Sequence, residues 1–142
     1  MERSITKALP EMADKANAPE LSAAFRQHLA ETETQVRRLE TIFEAHTGSA
    51  ETKTCKVISG LITEAKDSLK DDDDPAIMDV TLIAAAQQVE HHEMAVYGTL
   101  REWAQMMGHT RDVTLLNSTL NEEKAADEKL TNIAHSANAM AA

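Results

Sequence analysis

The sequence predicts an all-α protein: a four-helix bundle with an additional helix in the crossover between the second and third bundle helices. Three observations carry this. Apolar residues recur at helical spacing along four long segments. The composition is only 3% aromatic and rich in Ala, Leu, Glu and Lys, which favours helix over sheet. The breaks between segments are short, except for one longer connection between the second and third. A chain of 142 residues is the size of one domain, 1–142, and can bury a core without disulfides.

The first helix spans about residues 2–16, with Glu2, Ile5, Leu9, Met12 and Ala16 on one face. Pro10 removes a backbone donor and should kink it. The alternative is a helix that begins near Leu9 with Pro10 in its first turn, leaving residues 1–8 loose and Glu2 in a frayed turn. The second helix runs over about 19–45. Leu21, Phe25, His28, Leu29, Thr32, Val36, Leu39 and Phe43 line its core side, and Thr47-Gly48-Ser49 ends it. The stripe turns polar at its centre, at His28, Thr32 and Gln35, with Glu31 at its edge.

Residues 50–70 carry the crossover helix, with Val57, Ile58, Leu61, Ile62, Ala65 and Leu69 as its apolar face. Gly60 either weakens it or permits close packing against a neighbour. Asp71-Asp72-Asp73-Asp74-Pro75 lacks the alternating ligands and distal glutamate of a calcium loop, so it reads as a solvated turn that caps the next helix. The third bundle helix spans about 75–107 and closes at Gly108-His109. The fourth spans about 110–137, with Val113, Leu116, Leu120, Leu130 and Ile133 as its stripe, interrupted by Glu123 and Asp127.

Charge and composition narrow the function. A net charge of −10 disfavours nucleic-acid binding and suits metal cations, although solvated helix faces give the same count. One cysteine, no apolar run of membrane length and no signal-peptide core predict a soluble, cytoplasmic protein without a membrane partner.

The chemistry gathers in Gln87-Gln88-Val89-Glu90-His91-His92-Glu93, within the third bundle helix. Glu90 and Glu93 share one helix face with Val89, Tyr97 and Leu100. Buried carboxylates there must be paired, protonated or metal-bound. His91 and His92 differ in direction by about 100°, so at most one turns inward. A gapless self-match aligns Glu2–Ala13 with Glu93–Ala104, and also pairs Leu29 with Leu120 and Glu31 with Glu122. It suggests two helical hairpins whose carboxylates meet at one level. A pair of iron or manganese ions needs about four carboxylates from facing helices. The candidates are Glu2, Glu31 with His28 one turn earlier, Glu90 and Glu93, and Glu122 or Glu123 with Asp127. Each also has a bland reading: Glu90 and Glu93 as bundle-edge ion pairs, Glu31 and Glu123 as partners of Lys or Arg, and His28 as a satisfied core histidine. Tyr97 serves equally as packing or as a donor to a ligand.

Leu82-Ile-Ala-Ala-Ala-Gln-Gln-Val-Glu-His-His-Glu-Met-Ala-Val-Tyr-Gly-Thr-Leu100 is very similar to the signature of the YciF/YciE-like family of bacterial stress-associated proteins. His28-Leu-Ala-Glu-Thr-Glu-Thr-Gln35 and Leu120-Asn-Glu-Glu-Lys-Ala-Ala-Asp-Glu-Lys-Leu130 match its pattern too. The resemblance implies a ferritin-like bundle, a distant relation to rubrerythrins and a homodimer, for which Trp103, Met106 and Met107 offer an apolar patch. The glutamates that interrupt the apolar stripes predict a di-iron or di-manganese centre, with metal oxidation or peroxide removal as candidate activities. The wider superfamily places Glu-x-x-His on the second and fourth helices. Here position i+3 from Glu31 is Thr34 and from Glu122 is Ala125, so the implied site is carboxylate-rich and histidine-poor. Relative to the family, the first helix is expected to be shortened before Glu2. The other expectation is a non-catalytic bundle that has lost a working metal site.

Overall fold

The computed structural model describes residues 1–69 and 74–141. They form five helices: α1 (Glu2–Lys15), α2 (Pro19–Thr47), α3 (Lys56–Ser68), α4 (Pro75–Met106) and α5 (Thr110–Ala141). α1 packs on α2, and α4 packs on α5. The two hairpins meet through α2 and α5, and α3 lies in the crossover against α4 and α1. This is the ferritin-like four-helix bundle with one crossover helix. None of these helices is long and apolar enough to cross a membrane.

α1 runs without a break through Pro10 and buries Glu2, Ile5, Leu9 and Ala13 on one face. The expected alternative, a helix starting near Leu9 with a loose 1–8, is therefore corrected. A proline inside a helix costs about 3 kcal/mol. Burying Ile5 and Leu9 returns roughly 1.5–3 kcal/mol each, which offsets it. α2 begins with Pro19 in its first turn and ends at Gly48, whose φ of 73° is a left-handed conformation open to glycine. Phe43, expected in the core, is 44% exposed.

α3 is shorter than the 50–70 expected, because residues 50–55 are not helical. Val57 faces solvent, and a Cβ added to the exposed Gly60 would meet nothing within 4 Å. Gly60 therefore does not serve close packing. Ile58 is the buried residue that holds α3 to the bundle. Ile58→Ala should cost about 2–4 kcal/mol by leaving a cavity. Hydrogen exchange should show the α3 amides opening more readily than those of α4. Equal protection of α3 in wild type and variant would show that another contact anchors it.

Asp74 caps α4 by accepting from the backbone N–H groups of Ala76 and Ile77. The rest of the aspartate turn, residues 71–73, lies outside the described residues. On α4, Asp79 is buried yet fully served. Its two oxygens accept from the backbone N–H groups of Asn17 at 2.7 Å and Ala18 at 2.8 Å. It ties the α1–α2 turn to α4.

The apolar core is divided. One cluster joins Ile5, Leu9, Leu21, Phe25, Ile58, Leu82, Leu130 and Ile133. A second joins Tyr97, Ala104, Leu116 and Leu120. Among the buried polar residues of the bundle are Glu2, His28, Thr32, Gln35, Glu90, Glu93 and Glu123. Seven polar groups so placed are not an accident of amphipathic patterning.

Candidate metal centre

All four bundle helices contribute to the polar layer. α1 contributes Glu2, α2 contributes His28, α4 contributes Glu90 and Glu93, and α5 contributes Glu123. One ligand atom each from His28, Glu90, Glu93 and Glu123 lies within 4.8 Å of the others. These four residues could hold a cation. His28 Nε2 is 3.2 Å from Glu90 Oε1 and 3.6 Å from Glu123 Oε2. Its Nδ1 is 3.4 Å from Glu31 Oε2. Glu2 joins the same layer through Tyr97, whose hydroxyl donates to Glu2 Oε1.

The electrostatics are those of a site short of positive charge. Burial pushes the Glu93 carboxyl well above the usual carboxylate range, and the charges of Glu2 and Glu123 push it further. Burial and the neighbouring Glu90 push Glu123 up to about 9, against an opposing pull from His28. Burial alone would lower the His28 imidazole. The close contacts with Glu31 and Glu90, with the charges of Glu90 and Glu123, outweigh it and raise His28 to about 10. The metal-free layer therefore keeps its protons: His28 is an internal cation and Glu93 and Glu123 stay protonated at neutral pH.

Among the described residues no N–H group or hydroxyl serves either oxygen of Glu93 or Glu123, nor Oε2 of Glu2 and Glu90, so the metal-free layer is left to share protons between the carboxyl pairs Glu2–Glu93 and Glu90–Glu123. Buried polar atoms are nearly always partnered. Asp79 on the same helix shows that this chain can supply backbone donors to a buried carboxylate. Four carboxylates match the charge of two divalent cations. The donor set, oxygen with one imidazole nitrogen, suits iron or manganese chemistry. The residues present fit the group.

The other candidates lie elsewhere. Glu122 is held by Arg38, with Nη1 on Oε2 at 2.6 Å and Nη2 on Oε1 at 2.7 Å, and Gln35 also donates to it. Asp127 lies partly exposed beside His91 and Gln87. Glu31 is partly exposed and reaches the layer through His28. His91 is exposed, while His92 turns toward Cys55 at 3.8 Å. A cleft of about 150 Å³ between α2 and α5 opens on His28, Glu31 and Glu90, with Lys129 lining it. Sequence reasoning missed Asp79, whose signal is a carboxylate on an apolar face opposite a proline-flanked turn.

Across residues 1–142 the chain matches the family described as Domain of unknown function (DUF892). It is 40% identical over 134 residues to Protein YciF of Escherichia coli (strain K12), spanning 94% of this chain and 81% of YciF. The crystal structure of the E. coli stress protein YciF matches with a TM-score of 0.90 and 39% identity, covering 96% of this chain and 86% of that one. YcfI of Rhodopseudomonas palustris, described as a candidate structural protein, matches with a TM-score of 0.89 and 42% identity, covering 92% and 83%.

Proposed function

This chain belongs to the DUF892 family, to which it is matched over its whole length, and from that premise we propose that its polar layer is a working carboxylate metal centre. Glu2, Glu90, Glu93, Glu123 and His28 would hold a pair of iron or manganese ions, with Glu31 at the entrance. The single observation that carries this is the set of buried carboxylate oxygens without protein donors, contributed by three helices to one layer. When bound, such a pair supplies one-electron redox capacity and Lewis acidity at an open coordination position. That chemistry suits metal oxidation or peroxide removal under stress. It agrees with the description of the E. coli relative as a stress protein.

This chain's own residues do the rest. The apolar clusters on either side limit water. The cleft past Glu31 and Lys129 admits a small reactant. Tyr97 holds Glu2 in place by donating to it, so that α1 presents its carboxylate at the level of Glu93. To hold cations His28 would have to be neutral and Glu93 and Glu123 ionised, so their protons would pass to solvent on loading.

The experiment is metal analysis of protein purified without oxygen and then loaded with Fe²⁺ or Mn²⁺. About two ions per chain are expected. A ligand bound only to the folded state must also raise the melting temperature. A second reading is a structural bundle whose layer stays protonated around the His28 imidazolium. The description of the R. palustris relative and the raised His28 support it. Trace uptake and an unchanged melting temperature at saturating metal would favour that reading.

A further inference from the structure

A second group of ligand-bearing side chains lies at the end of the bundle where α2 stops and α4 turns into α5. His46 sits in the last turn of α2, His109 follows Gly108 in the α4–α5 turn, and Asp112 is in the first turn of α5. Gly108, at φ 76°, reverses the chain there and sets His109 beside α2. The two imidazoles stack with centroids 4.4 Å apart and planes 22° from parallel. Both reach one carboxylate oxygen. His46 Nε2 is 2.6 Å and His109 Nδ1 is 3.6 Å from Asp112 Oδ2. One ligand atom from each of the three residues lies within 4.8 Å of the others.

We propose that His46, His109 and Asp112 form a second metal site, for a divalent transition cation that favours imidazole, such as Zn²⁺. Two imidazoles and one carboxylate are a recognised donor set for zinc, with water completing the coordination. Ligands at about 2.0–2.1 Å from a tetrahedral ion lie about 3.3 Å apart. The His109–Asp112 separation is close to this already. The His46–Asp112 separation must open by under about 1 Å and the stacked rings must tilt so that both nitrogen lone pairs meet the ion, movements that the partly exposed side chains of His46 and His109 permit. Asp112 is largely buried and so fixed, whereas the two rings are open enough to admit the ion. The carboxyl end of α2 favours a cation at His46.

The site is independent of the carboxylate layer. Asp112 lies about 16 Å along α5 from Glu123, at 1.5 Å per residue. Its ligands also differ in kind, two imidazoles against a carboxylate-rich set, so different ions should prefer each. A bound ion would fasten the α4–α5 turn to the end of α2. In the ion's absence the three residues are linked by the His46–Asp112 hydrogen bond, the 3.6 Å His109–Asp112 contact and the stacked rings.

The test uses the full chain carrying Glu90→Gln and Glu93→Gln, so that the inner layer does not compete. Zn²⁺ titrated by calorimetry should bind once per chain at micromolar concentration and raise the melting temperature. Adding His46→Ala or, separately, His109→Ala should weaken binding at least about 30-fold and remove the rise. Co²⁺ in place of Zn²⁺ should give a visible ligand-field band that either substitution abolishes. Because His46 and His109 are partly exposed, circular dichroism should find both variants folded. No saturable binding below about 1 mM, or binding unchanged by both substitutions, would overturn the proposal.

Discussion

Replacing Glu90 and Glu93 together by glutamine should abolish iron and manganese uptake, and the Glu93 exchange alone should leave the metal-free bundle at least as stable at pH 8. The two halves of this result come from one cause. Both side chains are buried, at 3% and 0% exposure. The Glu93 carboxyl is pushed far up by burial and by Glu2 and Glu123. Glutamine keeps the shape of a protonated carboxyl, adds an N–H₂ donor for the unserved oxygens nearby, and does not ionise.

The sign follows from linkage. A carboxyl raised in the folded state contributes stability that is fully present below its unfolded pKa, and loses it as pH rises through the folded value. The variant has no such loss at position 93, so its advantage grows from mildly acidic to alkaline pH. Metal affinity goes the other way. Removing two anionic donors should weaken it by more than about 100-fold, beyond the 10–100-fold cost of disturbing groups that only orient ligands. Denaturant titrations of metal-free protein and metal-uptake assays measure the two halves. Uptake that survives in the double variant, or a metal-free Glu93→Gln variant weaker by more than about 2 kcal/mol, would contradict the account.

His28→Ala should destabilise the metal-free protein by about 3 kcal/mol at pH 6, because it leaves buried carboxylates without their cation. His28 is 6% exposed and within ion-pair distance of Glu31, Glu90 and Glu123. Its raised folded value, about 10, sets the pH dependence. The charge contribution is fully present below the unfolded imidazole value of about 6.5 and is lost as pH rises through about 10. Wild type and variant should therefore converge between pH 7 and pH 10, apart from the cavity left by the ring. Urea midpoints at pH 6 and pH 10 decide this. An equal loss at both would mean that His28 acts by packing alone.

Much of the fold was legible because helical spacing and turn residues act locally. Gly48, Pro75 and Gly108 each stand where a helix ends or begins. α1 was the ambiguous element, since Pro10 argues locally against a helix that only burial of Ile5 and Leu9 sustains. The choice between Glu122 and Glu123 was open for a similar reason. The two lie about 100° apart on α5, and the sequence does not say which faces inward. The structure has Glu123 inward, while Glu122 is held by Arg38, a partner 84 positions away in the chain. The internal match adds a physical reading. Position 32 of α2 corresponds to position 123 of α5, and both are fully buried. Thr32 stands where symmetry would put a second glutamate, so α2 meets the layer with His28 instead. The tie between Glu2 and Glu93 was the frailest part of the sequence reading, and in the structure both are buried in one layer, with Tyr97 donating to Glu2. His46, His109 and Asp112 left no trace in sequence, because a turn and two helix ends bring them together.

The central claim is that the buried carboxylates between the two apolar clusters hold metal. Crystals grown with Mn²⁺ and measured for anomalous scattering test it directly. The account predicts strong anomalous peaks among His28, Glu90, Glu93 and Glu123, with Glu2 within reach. A map with no peak in that layer at saturating Mn²⁺, and the same result with Fe²⁺ under anaerobic conditions, would contradict it.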